Sequence, residues 1–189
     1  LSVFAGGFAL DAAETVGAGD DVASGDALEL LDHLVDKSLV AFEAQHGRYK
    51  LLETVRQYAL NRLAESGDEA ATRDRHLRFY VVLAERAGCD LNGPKQLTWT
   101  VRLDAERENI LLAFDHARTT PGGGLAALTM VHGYFLWLTW RDIELWHRVT
   151  LEVLAHPDAQ QENVARSRAL YVAGFIAYMT GRYEQSFTL

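Results

Sequence analysis

Apolar residues recur at intervals of three and four along most of the chain, the spacing of one face of an α-helix. The first such stretch is short, Leu10 to Val16, with Asp11 and Glu14 in its opening turns, where the helix dipole favours acids. Gly17 to Gly25 reads as a loop. A second helix starts at Asp26, with Glu29 three residues on as an approximate capping box, and it places Leu30, Leu31, Leu34 and Val35 at helical spacing. The period then changes. Residues 38–42 and 48–51 are β-prone, and Gln45-His46-Gly47 supplies a turn between them, so a β-hairpin is predicted. The next helix runs from about Glu53 to Glu65, with Val55, Ala59 and Leu63 on one face, and Ser66-Gly67 ends it. Helix, helix, hairpin is the order of a winged-helix domain over 1–67, whose first helix is expected to lie mostly before Leu1.

Everything beyond is helical in pattern. One helix spans about Glu69 to Ala87, with Leu77, Tyr80, Leu83 and Ala84 facing inward. Asn92-Gly93-Pro94 breaks the chain. A second helix covers Gln96 to Arg118, with Trp99, Leu103, Ile110, Phe114 and Ala117 on one face. After Pro121-Gly122-Gly123-Gly124 two more helices fit Leu125 to Trp140 and Ile143 to Leu154. These form a helical linker or bundle over 68–158. From 159 to 189 a helix pair begins, and Leu170, Ala173, Gly174, Ala177, Gly181, Tyr183 and Ser186 sit at the small and large positions of a tetratricopeptide repeat. The expected fold class is therefore mainly α: a winged-helix domain with a small β-hairpin, followed by a superhelical array of tetratricopeptide type. The opening at Leu1 without Met, and a last helix still running from Tyr183 to Leu189, suggest a segment of a larger protein.

Composition narrows the function classes. Hydrophobic residues make up 49% of the 189 residues, a globular proportion. No apolar run approaches the ~18 residues of a membrane span, so no membrane partner is expected. No basic-then-apolar start marks a signal peptide. Cys89 is the lone cysteine, which suits a reducing cytoplasmic compartment and leaves no thiolate metal cluster. The lysines are Lys37, Lys50 and Lys95, and the other basic side chains are arginines; with the abundant alanine this suggests a GC-rich bacterial genome.

Four strings point to a family: LSVFAGGFALDAAE from Leu1, LVDKSLV from Leu34, RYKLLETVRQYALNRLAESGD from Arg48 and RLDAERENILLAF from Arg102. They resemble the bacterial STAND-type signalling ATPases, large transcriptional regulators and related sensors with an NB-ARC-like nucleotide-binding core. The resemblance covers about Leu1 to Ala117. It implies the domain order read above, following an ATPase core that lies upstream and binds ATP or ADP. It also implies a switch, in which the winged helix closes over the nucleotide and the repeats sense a ligand or partner. Many relatives carry Met-His-Asp where the second hairpin strand meets the next helix, and the His touches phosphate. Here Leu51, Leu52 and Glu53 match. Leu52 cannot donate a hydrogen bond, so the resemblance does not extend to phosphate contact, although Glu53 keeps the acid.

The chain lacks motifs for chemistry. Gly122-Gly123-Gly124 is not followed by the Lys-Ser/Thr of a P-loop. His33, His76, His116, His132 and His147 are scattered, without zinc-site spacing. Asp20-Asp21 lies in a Gly-rich loop without calcium-loop spacing. No enzyme activity, metal or resident cofactor is expected of this segment. Tyr134, Trp137 and Trp140, at i, i+3 spacing, are either core or a face for a protein or small-molecule effector. The helix before the hairpin carries Asp26, Glu29, Asp32 and Asp36 against Lys37, and the net charge is -8. That pattern argues against duplex DNA as a partner, because duplex binding recruits cations to phosphate. The leading expectation is a non-catalytic regulatory segment that relays effector or partner binding to the upstream ATPase core in cis. The alternatives are a DNA-binding winged-helix factor with a helical sensor, and a free-standing helical-repeat scaffold.

Overall fold

A computed structural model describes residues 1–19 and 24–184. Among these the chain is mainly helical with one small antiparallel sheet. It divides into two compact units, residues 1–79 with 105–113 and residues 80–104 with 114–189.

The first unit holds strand β1 (Phe8–Ala9), helix α1 (Leu10–Gly17), helix α2 (Ala27–Asp36), strands β2 (Val40–Glu43) and β3 (Arg48–Leu51), and helix α3 (Glu53–Ser66). It also takes the first part of α4 (Glu69–Asp90) and of α6 (Arg107–Thr119). A 3-10 turn over Ser24–Asp26 leads into α2, so Asp26 has helical dihedrals (φ -89, ψ -8) rather than the extended ones of an N-cap. Its side chain caps nothing, and the expected capping box does not form. Ser38 takes the left-handed conformation, φ 57, and turns the chain from α2 into β2. The predicted hairpin is present, with Phe42 opposite Tyr49. The sequence pattern missed β1, which pairs antiparallel with β3, Phe8 opposite Tyr49, and makes β3 the central strand. Two residues are too few to show a period. Rings cross the sheet on one face: Phe8 and Tyr49 at 6.1 Å, Phe42 and Tyr49 at 4.8 Å. Phe4 stacks on Phe8 at 4.7 Å, and Ala12, Val16, Leu31 and Val40 complete a buried core.

The second unit packs the later part of α4 with α5 (Gln96–Ala105), α7 (Gly123–Gly133), α8 (Phe135–Arg141), α9 (Ile143–Ala155) and α10 (Val164–Met179). Two stretches read as single helices from the sequence are each split, between α5 and α6 at Glu106 and between α7 and α8 at Tyr134. Both break residues have buried side chains engaged away from their own helix: Glu106 pairs with Arg48, and the Tyr134 hydroxyl donates to the carbonyl of Tyr80 at 2.6 Å. Beside the second break a Cβ on Gly133 would lie 2.4 Å from the Ala84 carbonyl oxygen, so α4 and α7 cross at a distance only glycine allows. Trp137 and Trp146 lie 6.0 Å apart, with Phe114 5.8 Å from Trp146. α10 packs on α7 and α9.

Candidate functional site

A buried polar network organises the first unit. Arg48, the first residue of β3, pairs with Glu106 and donates to the carbonyls of Gly7 at 2.9 Å and Ala105 at 3.0 Å. Asn109, fully buried, donates to Gly7 O and to Glu106 Oε2, both at 2.8 Å, and accepts from the Ala5 amide at 2.7 Å. Three of the four family-like strings meet here: Gly7 comes from the first, Arg48 from the third, and Glu106 with Asn109 from the last. Burying the Glu106 charge is tolerable because it is paired and hydrogen-bonded. Sequence reading missed this cluster, since apart from Glu106 and Asn109 its partners lie 41 to 104 residues apart. The available signal was Glu106 and Asn109 at i, i+3 in an otherwise apolar helical pattern.

The positions matched to Met-His-Asp lie at the end of the hairpin. Leu51 closes β3. Leu52 is the extended N-cap residue of α3 and is 51% exposed. Glu53 opens α3 and accepts from Arg56 Nε at 3.0 Å and Nη2 at 2.9 Å. Those hydrogen bonds hold its carboxyl below the usual range. The three are contiguous, Leu51 half-buried and Leu52 and Glu53 exposed, and the acid is already engaged by an arginine.

The aromatic trio does not share one face. Tyr134 and Trp137 are buried, and the Trp137 indole donates to Asp104 at 2.7 Å. Trp140 is 58% exposed. Asp104 also accepts from Arg141 Nε at 2.8 Å, so the indole is fixed by a carboxylate held from two sides.

In α10, Ala169, Val172, Ala173, Ile176 and Ala177 are buried, while Leu170 and Gly174 are half-buried beside them. Gly181 has φ 76, and the Arg182 amide returns to the Ala177 carbonyl at 2.8 Å, closing the helix end. Tyr183 turns back, its ring 5.8 Å from that of Tyr178 on α10. Asp20, Asp21 and Ser186 lie outside the described residues.

The surface of α2 and the hairpin has a mixed character. Leu28, Glu29, Leu30, Asp32, His33 and Asp36 are exposed on α2, with Lys37 at its C-cap. On the hairpin His46 and Lys50 are exposed. Arg48, the arginine of the hairpin, is withdrawn into the network with Glu106.

Residues 1–64 match the model of a winged helix-turn-helix domain. The chain is 41% identical over 120 residues to the "Putative HTH-type transcriptional regulator Rv0890c" of Mycobacterium tuberculosis, and equally to the "Putative HTH-type transcriptional regulator Mb0914c" of Mycobacterium bovis. That match covers 62% of this chain and 13% of each relative. It is also 49% identical over 79 residues to the "Uncharacterized protein Rv0894" of M. tuberculosis, covering 40% of the chain and 20% of the relative. No solved structure matches significantly. The winged-helix reading of the N-terminal part thus holds, and the chain is similar to proteins named as transcriptional regulators. These findings correct the expectation that duplex DNA is not a partner of this segment. That expectation weighed formal charge, along α2 and over the chain. A winged helix-turn-helix unit also presents a hairpin, here with His46 and Lys50, and base contacts need not come from cations.

Proposed function

We propose that this chain is a regulatory segment of a transcriptional regulator, in which the winged helix-turn-helix unit meets duplex DNA and the helical unit receives a protein or small-molecule effector. The observation that carries this reading is the winged helix-turn-helix match over residues 1–64, together with the names of the relatives. The structure supplies the surfaces it needs. α2 is exposed along one side, Lys37 is at its C-cap, and His46 and Lys50 are exposed on the hairpin. Three such groups neutralise few phosphates, so binding is weak and owes more to shape and base-edge contacts than to counterion release. In fluorescence anisotropy with a labelled duplex at low salt, Lys37→Glu with Lys50→Glu weakens binding about tenfold or more. Absence of binding by the unsubstituted protein to any duplex contradicts the DNA part of the proposal.

The resemblance to STAND-type ATPases supports a finer layer. In it the helical unit, continued by tetratricopeptide-type repeats, reports to an upstream ATPase core of the parent polypeptide, where ATP or ADP binds. Of Tyr134, Trp137 and Trp140, Trp140 is the one exposed to meet an effector. The parent sequence tests this layer: a P-loop upstream supports it, and a parent without one removes it.

A further inference from the structure

Two adjoining hollows, of about 560 and 490 Å³, lie on the second unit, and all of their lining belongs to it. They share His132 of α7 and Val164 and Arg168 of α10 as walls, so Arg168 reaches both. The smaller hollow exists because the helices carry little side chain there. Gly88 of α4 and Gly133 of α7 line it, and a Cβ on Gly88 would lie 3.3 Å from the Gly133 Cα. The larger hollow adds Glu162 and Tyr171. Volumes of this size suit a small molecule.

The charges of the larger hollow are separated rather than paired. Glu162 and Arg168 line it together, both exposed, yet among the described residues neither makes an ion pair. Burial, and then the charge of Arg168, hold the His132 ring below its usual pKa. The neutral ring is a hydrogen-bonding neighbour of Arg168 and adds no second cation. Tyr171 is 62% exposed, its ring 6.0 Å from that of Phe135, and Val164 is 66% exposed. One cation, one anion and an apolar wall are thus left open in a single concavity.

We propose that this hollow binds the zwitterion of a free α-amino acid with an apolar side chain. Arg168 takes the carboxylate, whose two oxygens match the guanidinium fork. Glu162 takes the ammonium group, and Tyr171 and Val164 cover the side chain. A simple anion fits less well, since Glu162 and, in the smaller hollow, Glu85 repel it. The site gives the effector of the helical unit a chemical class, and to that extent rests on the effector reading above.

The test is saturation-transfer NMR on the full-length parent protein with three probes: L-phenylalanine, hydrocinnamate, which lacks the ammonium group, and phenethylamine, which lacks the carboxylate. L-phenylalanine is expected to bind about tenfold or more tightly than either analogue, each of which forgoes a charge-assisted hydrogen bond. Glu162→Gln removes its advantage over hydrocinnamate, and Arg168→Gln its advantage over phenethylamine. Both positions are exposed, so neither substitution disturbs a buried contact. Arg148→Gln, at an exposed arginine of α9, leaves all three affinities unchanged. Absence of saturation transfer to L-phenylalanine in the unsubstituted protein overturns the proposal. So does equal binding of the three probes, or a preference for L-phenylalanine that survives both substitutions. L-phenylalanine that binds with the expected preference but leaves duplex affinity unchanged supports the site and contradicts the effector reading.

Discussion

Arg48 carries more of the first unit than any charge count suggests. It ties β3 to the carbonyls of Gly7 and Ala105 and neutralises Glu106, whose side chain is 3% exposed. Arg48→Ala leaves that carboxylate buried without its cation, and a loss of about 3–5 kcal/mol in urea denaturation is expected. Replacing Arg48 and Glu106 together by methionine costs clearly less, because no unpaired charge remains. A second residue-scale prediction concerns His147, buried on α9, whose Nδ1 lies 3.4 Å from Arg182. Burial, then Arg182, lowers its pKa. The folded state therefore prefers the neutral ring. Above the unfolded pKa of about 6.5 both states are neutral and the contribution is whole. As pH falls through that value the unfolded chain takes up the proton first, and stability drops. His147→Gln reduces the loss of stability between about pH 7.5 and about pH 5.5; an unchanged pH dependence contradicts the assignment. Little at this scale was legible in advance. The family-like strings contain Gly7, Arg48, Glu106 and Asn109, but pairing across 58 residues leaves no periodic trace.

Helix positions followed the apolar period closely, because that period is the imprint of a buried face. α1, α3 and α9 lie within a residue or so of their expected bounds. Failures have local causes. β1 is two residues long, and the breaks at Glu106 and Tyr134 come from side chains engaged in long-range contacts. The aromatic trio divides within α8: Tyr134 and Trp137 are buried, and Trp140, in its last turn, is exposed. Gly133→Ala forces a methyl group to within 2.4 Å of the Ala84 carbonyl oxygen. A loss of about 1–3 kcal/mol, read as a lowered Tm, is expected, whereas Gly47→Ala in the exposed hairpin turn meets nothing and pays only for its left-handed φ of 61.

Taken whole, the chain joins a winged helix-turn-helix unit to a helical unit without a candidate metal cluster among the described residues. Its winged helix-turn-helix unit was legible from element order and family-like strings. Its relation to DNA was misjudged, because charge along one helix is a poor guide to a unit that presents several surfaces. The acidic α2 still has a measurable consequence. With Lys37, Lys50 and the His46 imidazole as the basic groups offered by α2 and the hairpin, about two to three counterions are released on binding. The direct test of the DNA-contacting regulator is the affinity of the full-length parent protein for duplex DNA, followed across salt concentration by fluorescence anisotropy. The account predicts measurable binding, with a slope of log K against log salt of about -2 to -3, shallower still in the Lys37→Glu, Lys50→Glu variant. Binding that is absent at low salt, or that the double substitution leaves untouched, contradicts it.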